Sequence, residues 1–182
     1  MDTTSDSRII DNYYTKGLKL IKLKKYDEAI EVFDQVIKIE TRPVGALYRK
    51  AQSLFKLKKI EEAIEIYNQV IDLVPEWFEP QWEKALALIV LEDYENSLDS
   101  INKCIEIYPK RPKVWVLKGN LLKKLGKLKE AIDVYDHLIL MDITNPLGYQ
   151  LKAEALEKFG KHEEAKECFR EAEKAKALKN ES

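Results

Sequence analysis

Apolar residues recur along this chain at a helical spacing, in segments that come in pairs. Leu47, Ala51 and Leu54 lie three or four residues apart, and a second run of this kind extends from Ala63 to Val70. Residues with this spacing share one face of an α-helix. The polar stretch between the two runs predicts a short turn. The pattern therefore predicts two helices that pack on each other and on neighbouring pairs, because neither can bury its apolar face alone.

Local signals support the boundaries of these helices. Glu61 and Glu62 follow the turn, where the positive end of a helix dipole favours acidic side chains. Pro75 follows the second run. Proline donates no backbone hydrogen bond and disfavours helical geometry in the residue before it. We therefore expect the second helix to end before Pro75.

Three sets of positions repeat at a 34-residue period along the whole chain. The first set is small: Gly17, Ala51, Ala85, Gly119 and Ala153. The second set is also small and lies 12 residues later: Ala29, Ala63, Ser97, Ala131 and Ala165. The third set is aromatic or aliphatic and lies 4 residues further on: Phe33, Tyr67, Ile101, Tyr135 and Phe169. Small residues let two helices cross closely, and the larger residue fills the space beside the crossing.

This period predicts one array of five repeats over residues 10–179, preceded by a flexible segment at 1–9 and followed by a tail at 180–182. The repeats are expected at 10–43, 44–77, 78–111, 112–145 and 146–179. Such a fold grows by stacking one supersecondary unit on the next.

The pattern resembles the tetratricopeptide repeat family over roughly residues 10–179. The shared features are the 34-residue period, the small residues of both helices, the aromatic residue one turn later, and prolines such as Pro75 and Pro109 near the repeat ends. The resemblance implies an all-α fold, a right-handed α-α superhelix of five helix-turn-helix repeats. The third repeat departs most from the pattern, with Gln81, Ser97 and Ile101, and we expect its packing to be the least regular.

The ends of the predicted array differ from its interior. Lys166 and Glu173 occupy positions that are aliphatic in the first four repeats, and Asn12 and Lys19 occupy positions that are mostly apolar or small in later repeats. Polar outer faces are typical of terminal repeats. We therefore expect a monomer. Apolar residues on the last helix leave an end-to-end dimer as the alternative.

Composition narrows the possible environments. The net charge is −1 and charged residues make up 35% of the chain, so no bulk attraction to nucleic acid or to an anionic membrane is expected. The start of the chain lacks a signal-peptide pattern, and the longest uncharged apolar run, Ala85–Leu91, is too short to span a membrane. Cys104 and Cys168 fit reduced thiols on helices. These features predict a cytoplasmic protein.

Few residues suggest catalysis or metal binding. His137 and His162 lack metal-ligand neighbours at helical spacing. Acidic pairs such as Asp27 and Glu28 recur with the period, whereas a catalytic pair is expected once. We therefore predict no catalytic residue, no metal site and no cofactor. One lysine per repeat precedes the first small position. These lysines could form a row of cationic groups that binds phosphate, or their aliphatic stems could pack along each repeat. The balanced charge of the chain favours the second role.

The resemblance also indicates where a partner should bind. In this family the first helix of each repeat, the A helix, lines a concave groove that usually holds the partner. Nine A-helix positions of the first three repeats should face inward and are mostly aromatic or aliphatic: Tyr14, Leu18, Ile21, Tyr48, Gln52, Phe55, Trp82, Leu86 and Ile89. We expect them to bind a protein or peptide with an apolar or amphipathic segment. Packing between adjacent A helices is the alternative role.

One binding mode of the family is not expected. Some members hold the C-terminal carboxylate of a chaperone with lysine and asparagine side chains. The matching positions here include Tyr14, Leu18, Arg49, Glu79 and Glu83, and the two acidic residues would repel a carboxylate. We thus predict a non-enzymatic interaction scaffold. The alternative function is an architectural subunit that self-associates through the array ends or the convex face.

Overall fold

A computed structural model describes the backbone of residues 3–181 and the side chains of residues 7–178. Ten α-helices follow one another within these residues. Their bounds are α1 Thr3–Lys22, α2 Tyr26–Ile39, α3 Val44–Lys56, α4 Ile60–Leu73, α5 Phe78–Val90, α6 Tyr94–Ile107, α7 Pro112–Lys124, α8 Leu128–Met141, α9 Pro146–Phe159 and α10 His162–Glu181. The predicted all-α class is confirmed.

The described part of the chain forms two compact units, which divide between Asp93 and Tyr94. In the first unit α1 packs on α2, α2 on α3, α3 on α4 and α4 on α5. In the second unit α6 packs on α7, α7 on α8, α8 on α9 and α9 on α10. The division falls in the turn of the third repeat, which departs most from the sequence pattern. A continuous array over residues 10–179 stays a prediction.

The helix starts follow the phase of the sequence period. The helices α3, α5, α7 and α9 begin at Val44, Phe78, Pro112 and Pro146, where the second to fifth repeats were expected to begin. The outermost helices are longer than expected. Residues 3–9, expected to be flexible, belong to α1, and α10 continues through 180 and 181. Neither stretch contains glycine or proline, so nothing local ends the helix. Residues 1, 2 and 182 lie outside the described part.

The two small sets and most of the third set are buried, as close helix crossing requires. The side chains of Phe33, Tyr67, Ile101 and Tyr135 are at most 1% exposed, whereas Phe169 is 42% exposed. The glycines matter at two crossings. A Cβ on Gly17 would lie 2.6 Å from Cζ of Phe33, and a Cβ on Gly119 would overlap the ring of Tyr135.

The turn between the two helices of each pair has one recurring backbone conformation. The residue at one position of the 34-residue period adopts a left-handed φ between 59° and 84° in all five turns: Lys24, Lys58, Glu92, Gly126 and Gly160. Only glycine adopts this region without steric cost. The first three turns therefore carry backbone strain that the last two avoid.

Ion pairs account for part of the lysine series. Nζ of Lys50 lies 2.6 Å from Oδ1 of Asp34, and Nζ of Lys152 lies 2.6 Å from Oδ1 of Asp136. Both pairs join the A helix of one repeat to the second helix of the repeat before it. These two lysines therefore act in repeat stacking.

The polar residues expected at the outer faces are exposed. Lys166 and Glu173 on α10 are exposed, and so are Asn12 and Lys19 on α1. Their counterparts in internal repeats are buried or half-buried. Among the described helices, none is both long and apolar enough to cross a membrane.

Candidate partner-binding pocket

A pocket of about 320 Å³ lies among the helices of the first unit. Four of the nine predicted groove residues line it, namely Ile21, Gln52, Phe55 and Leu86. Its full lining is Ile21, Tyr26, Gln52, Ser53, Phe55, Lys56, Tyr67, Glu83 and Leu86. We call this cavity the Glu83 pocket. It is mostly apolar, with a small number of polar groups, as is usual for a binding site.

Glu83 on α5 is the acceptor for three side chains from two other helices. The hydroxyl of Tyr48 and Nε2 of Gln52, both on α3, donate to Oε1 over 2.9 and 2.8 Å. The hydroxyl of Tyr67 on α4 donates to Oε2 over 2.7 Å. Because one carboxylate satisfies three donors, it fixes the second repeat to the A helix of the third.

The two tyrosines are held in their neutral form. Burial raises the pKa of the Tyr67 phenol well above its ordinary value of 10.0, and the charge of Glu83 raises it further. The same two causes, in the same order, raise the pKa of Tyr48. A neutral phenol keeps its hydrogen and so remains a donor to Glu83.

Arg49 is a nearby cation, but its described contacts lead to other groups. Its Nη1 donates to Oε1 of Gln52 over 2.8 Å, and its Cζ lies 5.5 Å from the centre of the Tyr48 ring. Its Nε is buried with no hydrogen-bond partner in the structure. Within residues 7–178, no cationic side chain forms an ion pair with Glu83.

Three of the predicted groove residues, Tyr14, Tyr48 and Trp82, are aromatic side chains one repeat apart, and they are packed to different degrees. Tyr48 is 7% exposed, and its ring centre lies 4.5 Å from that of Trp77. Tyr48 is therefore packed inside the first unit, and its predicted contact with a partner stays a prediction. Tyr14 and Trp82 are half-buried. Tyr14 meets Phe33 edge-on at 5.7 Å, and Trp82 stacks on Phe78 at 6.0 Å.

The remaining groove residues are half-buried. Leu18 and Ile21 pack against the core of the first repeat, which includes Phe33 and Val36. Ile89 is also half-buried. Their predicted contact with a partner stays a prediction.

Sequence reasoning did not identify Glu83 as the centre of the pocket. Its counterparts in the other repeats are Thr15, Arg49, Leu117 and Leu151, so it is the one acidic residue at this position of the period. This departure from the other repeats could have marked Glu83 as a candidate functional residue. Its pairing with Tyr67, which lies 16 residues earlier on another helix, could not be read from helical spacing.

The matching region of the second unit is polar. The hydroxyl of Tyr135 donates to Oδ1 of Asn120 over 2.9 Å. Nζ of Lys123 lies 2.8 Å from Oε2 of Glu154. A second pocket, of about 300 Å³, lies elsewhere in this unit, between α7, α8 and α9, with Val116 and Leu138 in its wall.

The histidines lie outside both pockets. Nδ1 of His162 lies 2.9 Å from Oε2 of Glu157, and the ring of His137 packs 4.1 Å from that of Trp115. A search of the described side chains finds no group of three or more histidine, cysteine, aspartate or glutamate residues that could hold a metal ion.

Comparison with solved structures shows that the fold is shared. A crystal structure of MamA protein superposes with a TM-score of 0.83 at 19% identity, covering 96% of this chain and 96% of that chain. The double mutant titled MamA RS-1 ArsTM gives 0.79 at 16% identity, with 96% and 98% covered. MamA 41-end from Desulfovibrio magneticus RS-1 gives 0.78 at 16% identity, with 93% and 96% covered.

Two family models match the sequence. The model described as anaphase-promoting complex, cyclosome, subunit 3 matches residues 3–70. The model described as tetratricopeptide repeat matches residues 79–111, 112–142 and 148–177. A search of curated protein sequences finds no match. With the family model covering more than half of its residues, and with its helices pairing at the 34-residue period, this chain belongs to the tetratricopeptide repeat family.

Proposed function

We propose that this chain is a non-enzymatic scaffold that binds an apolar or amphipathic segment of a partner protein in the Glu83 pocket. Tetratricopeptide repeat proteins generally mediate protein–protein interaction. The observation that carries the proposal is the pocket itself, because Ile21, Phe55 and Leu86 converge there from three successive A helices. Apolar side chains presented in this way can hold an anchor residue of a partner.

The proposal can be tested with peptides displayed from a random library and selected on the full chain. The affinity of each selected peptide is then measured against Phe55→Ala and Leu86→Ala. Loss of an apolar wall should weaken binding by about tenfold or more, equivalent to about 1.4 kcal/mol.

Lys123→Ala is the matched control, because Lys123 occupies the position of Phe55 two repeats later. This variant should leave the affinity within about twofold of the parent. Peptides that bind the Phe55 and Leu86 variants as tightly as the parent would show that the pocket is not the binding site.

Self-association is the second candidate function, and the exposure of Phe169 favours it. This ring is 42% exposed, whereas its counterparts in the other four repeats are at most 1% exposed. Light scattering after size exclusion tests it, since a monomer over a wide concentration range would count against an architectural role. The free thiols Cys104 and Cys168 fit a reducing compartment, and a cytoplasmic location is part of the first proposal.

A further inference from the structure

We infer that the Glu83 pocket selects a partner segment with a basic side chain, whose aliphatic stem lies along the apolar wall and whose cationic end pairs with Glu83. The inference rests on the proposed function and adds the chemistry of the partner. Four observations support it: the missing counter-ion, the remaining acceptor capacity of the carboxylate, the shape of the lining and the position of Glu83 in the period.

The first observation concerns charge. All three described donors to Glu83, namely Tyr48, Gln52 and Tyr67, are neutral. Arg49, the nearby guanidinium, donates to Gln52 instead. A half-buried carboxylate with only neutral partners is attractive to a cation, because the low local dielectric strengthens the interaction.

The second observation concerns the remaining acceptor capacity. A carboxylate has about four positions at which it can accept a hydrogen bond. Oε1 accepts two described hydrogen bonds and Oε2 accepts one, so a position on Oε2 is available for a fourth donor. A lysine ammonium or an arginine guanidinium can supply that donor while the tyrosines keep theirs.

The third observation concerns the walls. Ile21, Phe55 and Leu86 supply apolar surface beside Glu83 in a pocket of about 320 Å³. Lysine and arginine combine a chain of methylene groups with a charged end, and such side chains bury the stem against apolar surface. Lys56 also lines the pocket, but it is exposed, so solvent screens its charge more strongly than that of the half-buried Glu83.

The repeat fold does not require an acidic residue at this position. In the second unit the buried hydroxyl of Tyr135 is satisfied by the amide oxygen of Asn120. The counterpart of Glu83 there is Leu117. A neutral acceptor therefore suffices for a buried tyrosine, and the charge of Glu83 is available for recognition.

The test uses the selected peptides, the full chain and two variants of equal charge change. Each basic position of a peptide is replaced by norleucine, which keeps the stem and removes the charge. One such replacement should weaken binding to the parent protein by about tenfold or more, and should weaken binding to Glu83→Gln by less than about threefold. The Glu83→Gln substitution itself should weaken binding of the unmodified peptide by about tenfold.

Glu79→Gln is the matched control, because Glu79 is an exposed acidic residue one turn earlier on α5. An equal loss in both variants would mean that net charge alone attracts the peptide, and it would overturn the inference. Selected peptides in which no basic residue matters would also overturn it. If Glu83→Gln unfolds, a norleucine series on the parent protein in which no basic position matters would still overturn the inference.

These outcomes differ from those that test the proposed function. If Phe55→Ala abolishes binding while Glu83→Gln and the norleucine peptides bind normally, the pocket is a binding site without charge selection. If Phe55→Ala leaves the affinity unchanged, the pocket is not the site and both proposals are wrong.

Discussion

The two units carry the same repeat but different chemistry at matched positions of their A helices. In the first unit Phe55 and Leu86 line an apolar pocket. In the second unit the same positions of the period hold Lys123 and Asn120. Lys123 pairs with an acidic residue, and Asn120 accepts from a tyrosine. The small and aromatic sets therefore maintain the helix crossings, while these positions of the A helices differ in chemistry between the units.

The buried tyrosines show the same difference most sharply. Tyr67 and Tyr135 occupy one position of the period, and both are at most 1% exposed. Each hydroxyl needs an acceptor, because an unsatisfied buried polar group is costly. Tyr67 donates to the carboxylate of Glu83, which two other side chains share, whereas Tyr135 donates to one neutral amide.

Replacing Glu83 in the first unit and Glu154 in the second should give the largest difference in the free energy of unfolding. Glu83→Ala leaves three donors without their acceptor and should lower the free energy of unfolding by about 3 kcal/mol or more. Glu154→Ala breaks an ion pair with a half-exposed carboxylate and should cost less than about 1 kcal/mol. Urea denaturation of the full chain measures both, and equal losses would contradict the central role of Glu83.

Removing single hydroxyl groups should give a smaller difference of the same sign. Tyr67→Phe removes a hydrogen bond to a charged acceptor and should cost about 2 kcal/mol. Tyr135→Phe removes a hydrogen bond to a neutral acceptor and should cost about 1 kcal/mol. The shift in the urea midpoint at a constant m value gives each figure. A larger loss for Tyr135→Phe would reverse the comparison.

Alkaline pH should weaken the first unit through the same tyrosine. The folded pKa of Tyr67 is raised above 10.0, so the unfolded chain loses this proton first as the pH rises. Its stabilisation is therefore fully present below pH 10.0 and is lost above it. The parent chain should lose up to about 1.4 kcal/mol per pH unit relative to Tyr67→Phe. Parallel stability curves of the two proteins above this pH would show that Tyr67 titrates normally.

The turns should give the smallest difference. Gly126→Ala places a Cβ in open space but in a left-handed conformation, and it should cost about 1 kcal/mol. Lys58→Gly removes strain at the same position of another turn and should be stabilising by less than about 1 kcal/mol, because glycine also raises the entropy of the unfolded chain. Thermal melting of both variants checks the two signs, and a destabilised Lys58→Gly would refute the strain argument.

Much of the fold was predictable because the period marks the same position in every repeat. The starts of α3, α5, α7 and α9 follow from it directly. The extra length of α1 and α10 did not follow, because no repeat partner defines those ends. The pocket was predictable only in part. Phe55 and Leu86 lie at periodic positions, but the hydrogen bonds of Glu83 depend on how side chains from three helices converge.

The alkylation rates of the two cysteines report how the second unit opens. Cys104 is fully buried, and burial raises the pKa of the half-buried Cys168 thiol on α10 above its ordinary value. Alkylating reagents attack the thiolate, so both residues should react slowly while the unit is closed. Fraying of α10 would release Cys168 first, whereas Cys104 would wait for the core to open. The ratio of the two alkylation rates therefore separates local opening of the last helix from unfolding of the unit, with no label added to the protein.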